Sequence, residues 1–504
     1  MARDPPAKTD PIIIVGSGIF GLSTALHLCR RGYRDVTVFD RHPYDESQYS
    51  YFKGADAASA DINKIIRSAY GSQTEYQELS TEAIAAWQAW NAELATATAT
   101  DLPPGLQPGD AVFVQNCNTS FSTAAELPEW ERACIEGMER AGHRDTQLAT
   151  TDARHRRVAR DKGVAFAMDP FRRAARGKPN VAVVDSTGGM AVADKACRLA
   201  LHKARALGAK FVFGARAGAL EALRYEGEGS ARVVVGIRTR DGAAHDAALT
   251  VLACGAWTPV LLPRLDGLCE ATAGSVALLR IPRESALWER LAPANFPTFT
   301  WDLRGGAAGG VYGFPRDEEG WFKVGYRGSK FTNPLVQGDG RERSTPATRF
   351  SPALRDGTQP VGDVLTAFPE QAHKVITGFL DEYLPELAEE GIGISHTRIC
   401  WYTDTFDNHF VVDYVPETEG LMVATGGSGH AFKYLPNVGN WVVDVIENVD
   451  TDRPAIKAWR WRSVGGDKPV NSLMEGSKGS RALDNVSLLE EAVVSPSSSS
   501  SSRL

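Results

Sequence analysis

Three glycines near the amino terminus, Gly16, Gly18 and Gly21, form the pattern G-x-G-x-x-G, and an acidic residue, Asp40, stands further along. In this pattern the first glycine permits a tight turn, the second lets the backbone approach a pyrophosphate, and the third allows a helix to pack closely on a strand. An acid at the end of the next strand can bind ribose hydroxyls. The spacing therefore predicts a dinucleotide site and leaves FAD and NAD open.

Cys400 stands in the stretch RICWYTDT, between an isoleucine and two aromatic residues. The seven cysteines of the chain are scattered singly, without a C-x-x-C pair, so neither a disulfide framework nor a zinc site is expected. A lone cysteine is most often a small buried apolar residue. We predict that role for the other six cysteines. The role of Cys400 depends on the motif around it.

The elements that position these residues can be predicted from the apolar pattern. Residues 12–15 form a continuous apolar run, typical of a strand buried on both faces, and a helix is predicted over residues 19–31. Two later strands, at 250–253 and 421–424, each run into a glycine-containing turn, and a helix is predicted from about residue 435. We interpret both as returns of the chain to one parallel sheet.

Composition limits the classes of partner. The chain has 504 residues, 43% of them apolar, which favours two packed globular domains. The formal net charge of −7 gives no electrostatic reason to expect nucleic acid or an anionic membrane surface. No apolar run approaches the roughly 20 residues of a membrane span, and the first ten residues lack a signal-peptide core. We therefore expect an intracellular protein with small-molecule partners.

Six motifs follow one another along the chain: the glycine pattern, INKIIRSAYG, VYGFP, KVGY, CWYTDT and GGSGHAFKYLP. Together they resemble the sarcosine oxidase and fructosyl amino acid oxidase (amadoriase) family of flavin amine oxidases over most of residues 10–450. The resemblance implies an α/β fold, with a Rossmann-type FAD-binding domain and an inserted α+β substrate domain. It also implies that Cys400 is linked through sulfur to the flavin 8α-methyl group, which would retain the cofactor and make it a better oxidant.

The resemblance implies roles for four cationic residues. Lys323 would lie beside flavin N5, where its charge would stabilise negative charge developing on oxygen, and Lys64 would lie close to it. Arg67 and Lys433 match the pair that holds the substrate carboxylate, since a guanidinium can bind a carboxylate in bidentate fashion while an ammonium acts as a point charge.

The same comparison implies an aromatic lining for the substrate space over the flavin. Tyr312, Tyr402 and His430 match residues at that position. The residues expected to take part in catalysis are Lys323, Lys64, Tyr402 and His430, with no metal ion. The residues expected to contact FAD are Gly16, Gly18, Ile19, Phe20, Gly21, Asp40, Arg41, Lys64, Cys400, Gly429 and Lys433. The residues expected to contact the substrate are Arg67, Tyr312, Tyr402, His430 and Lys433.

The chain mixes features of two branches of the family. Tyr402 and the KVGY segment resemble sarcosine oxidase, the spelling NKII and the phrase FKYLP resemble fungal amadoriases, and Arg327 stands where sarcosine oxidase has a histidine. This mixture implies a secondary amino acid larger than sarcosine, as in the fungal isoquinoline-forming oxidases of N-methyl amino acids. The expected reaction oxidises the carbon–nitrogen bond to an imine and reduces O2 to H2O2, with either simple demethylation or ring closure afterwards.

Two alternatives stay open at this point. One is a fructosyl amino acid oxidase, which differs only in its substrate. The other is a flavin protein that passes electrons to a partner instead of oxygen, through the loop at residues 331–363.

The predicted domain organisation is interrupted. Residues 8–84, 181–268 and 396–464 are assigned to the FAD-binding domain, and residues 85–180 and 269–395 to the substrate domain. Residues 465–504 are polar and serine-rich, which predicts a disordered tail. The tail ends in Ser502-Arg503-Leu504, which resembles the peroxisomal address S-K-L, so the peroxisomal import receptor is an expected partner.

Overall fold

A computed structural model describes residues 4–55, 57–227, 232–347, 365–465, 469–490 and 492. Within these residues, no helix has both the length and the apolar character needed to cross a membrane. The carboxyl-terminal Ser502-Arg503-Leu504 and residues 348–363 of the predicted loop lie outside the described residues.

The first layer is a six-stranded sheet. Five of its strands are parallel, and the sixth, at one edge, is antiparallel to its neighbour. The central strand is the predicted apolar run, and its four residues are all buried, because helices and loops cover both faces. The strand order is Val411–Tyr414, Leu421–Thr425, Leu249–Leu252, Ile12–Val15, Val36–Asp40 and Lys210–Phe213.

Helices pack against this sheet. Ile19–Arg30 follows the glycine turn and contacts Val438–Glu447 and Ala193–Ala206. The approach of the first two helices is close at Gly439, where a Cβ atom would lie 1.9 Å from the carbonyl oxygen of Ser23. The helix predicted from residue 435 begins at residue 438, because a 3-10 turn occupies Phe432–Tyr434.

The second layer is an eight-stranded, mostly antiparallel sheet with its own apolar core, rich in phenylalanine. The strand order is Ile394–Thr405, Cys269–Arg280, Trp321–Phe331, Val311–Gly313, Thr298–Trp301, Asn118–Ser122, Val181–Asp185 and Gln147–Ala149.

Smaller sheets and helices complete the fold. One three-stranded sheet joins Asn63–Ile66, Gly189–Val192 and Phe113–Val114, and it carries Lys64 towards the space between the two layers. A second joins Leu220–Glu226, Val233–Thr239 and Ala244–Asp246. The remaining strands are Pro334–Val336, Glu342–Ser344, Ala367–Pro369 and Leu488–Glu490. The remaining α-helices are Tyr44–Ser47, Gln77–Thr96, Glu129–Arg140, Ala153–Asp161, Thr258–Leu261, Leu287–Arg290, Glu370–Tyr383, Glu386–Glu389 and Pro454–Ala458.

Two predicted domain assignments differ from the observed sheets. The predicted boundaries place residues 181–185 and 396–405 in the FAD-binding domain. The strands Val181–Asp185 and Ile394–Thr405, which carries Cys400, nevertheless both belong to the eight-stranded sheet. Cys400 pairs there with Gly274 in the neighbouring strand. The cysteine therefore reaches the space between the layers from the substrate side, because pairing with a distant strand, and not nearness along the chain, decides which sheet a strand joins.

The prediction of a disordered tail is wrong for residues 469–490. The strand Leu488–Glu490 pairs with Ala367–Pro369, and the backbone N–H of Leu483 donates to the carbonyl of Thr332 at 2.9 Å. Leu483 is also buried in the core of the eight-stranded sheet. These residues gain order from apolar contacts with the rest of the chain, which the polar composition of the segment does not reveal.

Candidate active site

A cavity of about 350 Å³ lies between the two layers, at the carboxyl ends of the parallel strands. This edge of an open α/β sheet is the usual place for a ligand. Most of the residues singled out from the sequence lie on its wall. They are Gly16, Gly18, Ile19, Phe20, Asp40, Arg41, Lys64, Arg67, Tyr312, Cys400, Tyr402, Gly429, His430 and Lys433.

The glycine turn forms one end of the cavity. Gly16 has a φ of +105°, and a Cβ atom there would lie 2.4 Å from the carbonyl oxygen of Ala253 in the neighbouring loop. A Cβ atom on Gly21 would lie 1.8 Å from the carbonyl oxygen of Gly16, so Gly21 serves the packing of helix on turn and lies off the wall. A side chain at either position would displace the turn that brings the helix amino terminus to the cavity, where it can meet a phosphate.

Asp40 is held at the end of its strand beside this turn. Its two carboxylate oxygens accept backbone N–H groups of Ser17 at 2.6 Å and His42 at 2.8 Å. Burial raises the pKa of Asp40, although both hydrogen bonds oppose the rise. Each oxygen retains acceptor capacity for a hydroxyl group. The guanidinium of Arg41 lies 4.0 Å from the ring centre of Trp257, and burial lowers its pKa.

Asp61 organises three cations beside the cavity, of which Lys64 lies on the cavity wall. Its Oδ2 atom lies 2.6 Å from Lys323 Nζ, 2.8 Å from Lys64 Nζ and 3.6 Å from Arg398 Nη2. Burial alone would raise the pKa of Asp61, but the three cations hold it well below its usual range. Asp61 was not among the predicted site residues.

The two lysines of this group differ in where they point. Lys323 is fully buried, also donates to the carbonyl of Asn63 at 2.9 Å, and lies off the cavity wall. Burial lowers the pKa of Lys323 to about 7, although Asp61 opposes the fall. Lys64 lies on the wall, and although burial alone would lower its pKa, Asp61 and Cys400 raise it. Lys64 therefore presents the cation to the cavity, which differs from the expectation for Lys323.

The hydroxyl of Tyr70 joins two predicted site residues. Lys433 Nζ donates to it at 2.6 Å, and it lies 3.0 Å from His430 Nδ1 and 2.7 Å from the hydroxyl of Tyr434. The other ring nitrogen of His430, Nε2, faces the carbonyl of Asn408 at 3.0 Å. Because a carbonyl only accepts, Nε2 carries the proton and Nδ1 accepts from Tyr70.

Burial disfavours the charged forms of His430 and Lys433. Burial lowers the pKa of His430 well below its usual value, and the neighbouring Lys433 lowers it further. Burial likewise lowers the pKa of Lys433, assisted by Arg67 and Arg327. The imidazole is therefore neutral, with both nitrogens already engaged inside the protein.

Arg327 lies over the glycine-rich turn beside His430. Its guanidinium donates to the carbonyls of Ser428 and Gly429, each at 3.3 Å, and lies 5.3 Å from the ring centre of Tyr402. Gly429 has a φ of +69°, and a Cβ atom there would lie 2.4 Å from Arg327 Nη2. The left-handed backbone conformation favours glycine at this position, and a side chain would also displace the end of the arginine.

Cys400 and Tyr402 occupy alternate positions of one strand and share a face. Both line the cavity, and Cys400 is 6% exposed. All seven cysteines are free thiols. Cys254 also lines the cavity, and burial raises its pKa to about 12. The prediction that Cys254 is only a packing residue therefore missed its place on the wall.

The chain matches the DAO family, described as FAD dependent oxidoreductase, over residues 11–445. The chain belongs to this family. The predicted FAD-dependent oxidoreductase is thereby confirmed, and the observed residues fit the cofactor: the glycine turn leaves room for a pyrophosphate, and Asp40 retains acceptor capacity for ribose hydroxyls.

Relatives of this family member match about nine tenths of the chain. L-saccharopine oxidase of Schizosaccharomyces pombe is 27% identical over 464 residues, covering 90% of this chain and 93% of that protein. Amino acid oxidase imqH of Aspergillus flavus is 26% identical, covering 90% of this chain and 98% of that protein. The fructosamine oxidase Amadoriase II of Aspergillus fumigatus has a solved structure with 26% identity and a TM-score of 0.66, covering 91% and 90% of the two chains. The predicted fold and the resemblance to flavin amine oxidases are confirmed.

Sequence reasoning missed three residues of the site: Asp61, Tyr70 and Arg327. Tyr70 stands inside INKIIRSAYG, and Arg327 follows KVGY, where it is recognisable only as a departure from the family pattern. Asp61 lies three residues before Lys64, a spacing that gives no warning of its contact with Lys323.

Proposed function

We propose that this FAD-dependent oxidoreductase is an oxidase of secondary amino acids, converting the carbon–nitrogen bond to an imine and reducing O2 to H2O2. One observation carries the proposal: a single cavity joins the glycine cradle to a pocket where Arg67 and Lys433 meet Cys400 and Tyr402. When bound, FAD would accept two electrons from the substrate and pass them to oxygen.

The residues of the pocket orient a carboxylate and select a neutral amine. Arg67 lies 4.9 Å from the ring centre of Tyr70, the residue that also fixes Lys433, so the two cations are held as a pair. Cations near the substrate nitrogen disfavour its protonated form. The neutral amine keeps the lone pair that oxidation requires. His430 orients the group through Tyr70 and is not free to accept a proton from the substrate.

We propose that Cys400 forms the covalent link to the flavin. Support comes from its place on the cavity wall, on the same face of the strand as Tyr402. Acid denaturation of the wild-type protein should leave the yellow colour in the pellet. Colour released into the supernatant would contradict the link.

We propose that a lysine of the Asp61 group provides the charge that assists oxygen reduction. The two lysines of this group, Lys323 and Lys64, differ in how their charge depends on pH. Lys323 loses its charge as pH rises through about 7, whereas Asp61 keeps Lys64 charged above that pH. A rate of flavin reoxidation that falls through pH 7, and no longer does so in Lys323→Met, would assign the role to Lys323. A flat profile with a slow Lys64→Met variant would assign it to Lys64.

The decisive test of the function is peroxide release in air. The panel contains N-methyl amino acids, aromatic ones included, L-saccharopine, and fructosyl valine and fructosyl lysine. Peroxide from the N-methyl amino acids or L-saccharopine, which carry no sugar, supports the proposal. Peroxide from the fructosyl compounds alone would make the protein a deglycating oxidase. Flavin that the substrate reduces and that stays reduced in air would instead favour electron transfer to a partner.

Two further proposals concern the reaction product and the location of the enzyme in the cell. An imine whose substrate carries an activated ring would close to a cyclic product of secondary metabolism, which mass spectrometry detects as loss of two hydrogens without loss of the N-methyl carbon. Ser502-Arg503-Leu504 would direct the enzyme to the peroxisome, where peroxide is degraded. A fluorescent fusion that stays diffuse with the intact terminus would refute the address.

A further inference from the structure

Three cationic side chains on the cavity wall form no ion pair with a carboxylate of the described residues. Within the part of the chain that the structure describes, no ion pair within 4 Å involves Arg67, Arg327 or Lys433, although the three lie close enough for Arg67 and Arg327 to lower the pKa of Lys433. A buried cation without a counter-charge is costly, so such groups are normally paired. This arrangement indicates that a ligand supplies the missing negative charge.

The nearest acids contact other groups, although Asp404 Oδ1 is buried without a hydrogen-bond partner among the described residues. Asp404, whose charge acts on Arg327, pairs with Lys330 at 2.9 Å and accepts the hydroxyl of Thr272 at 2.7 Å. Asp185, whose charge acts on Lys433, accepts the backbone N–H and the hydroxyl of Ser68. Neither acid satisfies the cations of the wall by direct contact.

Arg327 is the cation that the proposed reaction does not use. A single carboxylate on Arg67 and Lys433 completes the function proposed above. It leaves Arg327 with two long contacts of 3.3 Å to backbone carbonyls and with the ring of Tyr402 nearby. The Nε atom of Arg327 is buried and has no hydrogen-bond partner among the described residues. An Nε and Nη pair on one edge of a guanidinium is the donor arrangement that a carboxylate accepts in bidentate fashion.

We infer that the substrate carries a second carboxylate, bound by Arg327, so that the substrate class is a dicarboxylic secondary amino acid. This inference rests on the proposed function and narrows it. The second carboxylate lies either on the amino acid side chain or on the nitrogen substituent, and both placements share the same chemistry: an amine flanked by two anions at opposite ends of a cationic wall.

Matched substrates isolate the charge from the shape. N-methyl-L-glutamate is compared with N-methyl-L-glutamine, and N-(2-carboxyethyl)-L-alanine with N-(2-carbamoylethyl)-L-alanine. Each pair differs by one charge at nearly constant size. Anaerobic reduction of the flavin in the holoenzyme gives the specificity for each compound. The thioether analogues of the same four compounds cannot be oxidised and report binding through the flavin absorbance.

The wild-type enzyme should prefer the carboxylate in at least one pair by about tenfold or more, since a charge-assisted hydrogen bond is lost in the carboxamide. Arg327→Gln should abolish that preference, and Arg327→Lys should retain part of it. Loss of the two backbone contacts of Arg327 alone would slow both members of a pair equally, so the ratio separates recognition from a structural effect.

Three results would overturn the inference. Carboxamides could match carboxylates in both pairs, or the preference could survive in Arg327→Gln. Alternatively, N-methyl amino acids with apolar side chains could outperform all four compounds, which would leave the proposed function standing. Failure of the proposed function itself looks different, because no secondary amine, charged or neutral, would then reduce the flavin.

Discussion

Replacing Asp61 with asparagine tests how the buried cations beside the cavity are held. The side chain of asparagine has nearly the same shape but no charge, so Asp61→Asn removes the one carboxylate within 4 Å of Lys323 in the described structure. Lys64 and Arg398 lose the same partner. Three cations would then face one another in a space from which water is largely excluded.

The expected magnitude follows from the burial of the group. Lys323 is fully buried, and removing one partner of a buried ion pair typically costs about 3–5 kcal/mol of unfolding free energy. Lys323→Met, in contrast, removes the most strongly desolvated cation and leaves Asp61 with Lys64, so it should cost less than about 2 kcal/mol. The double variant should be more stable than Asp61→Asn alone, because the worst uncompensated charge is gone.

The assay is urea unfolding of the three variants and the wild type, followed by tryptophan fluorescence at pH 6.5 and pH 9. The folded-state pKa of Lys323, about 7, is below the value of 10.5 for an exposed lysine, so the unfolded chain binds more protons between these values. The contribution of Lys323 to stability therefore improves as pH rises from 7 towards 10.5. Lys323→Met lacks this gain, and its stability relative to the wild type should fall between pH 6.5 and pH 9.

Two results would refute the reasoning. If Asp61→Asn lost less than about 1 kcal/mol, the carboxylate would not be the common partner of the cations. If Lys323→Met lost as much unfolding free energy as Asp61→Asn at pH 6.5, the lysine would stabilise the fold as a paired cation. That result would contradict the strong desolvation that lowers its pKa.

Three further predictions concern cofactor and substrate. Cys400→Ala should bind FAD without the covalent link and release yellow colour on acid treatment; colour retained in the pellet would assign the link to another residue. Gly16→Ala should be purified colourless, because the new Cβ atom meets the Ala253 carbonyl at 2.4 Å, whereas full flavin content would show that the turn relaxes. Tyr70→Phe removes the acceptor of Lys433 and the donor to His430, and it should weaken binding of the substrate carboxylate by roughly 5- to 100-fold in KM. An unchanged KM with a reduced flavin content would instead place Tyr70 in cofactor binding.

Much of the cofactor half of the molecule follows from local sequence. Residues 12–15 form the predicted strand, because consecutive apolar side chains point to both faces of a sheet and both faces are covered here. The glycines after them permit a turn that other residues would block. The helix ends at Arg30, one residue before the predicted limit. These features depend on neighbours along the chain, so pattern and spacing are sufficient to predict them.

Local pattern and ordered motifs were therefore enough to predict the dinucleotide turn, the acid at the next strand end and the family. Only the tertiary structure decided that Lys64 and not Lys323 faces the cavity, and that Tyr70 joins Lys433, 363 residues away, to His430. It also decided that Cys400 belongs to the substrate-side sheet. The physical reason is that a buried polar group must find a partner wherever the fold brings one, and its pKa depends on that partner and on burial, neither of which is written in local sequence.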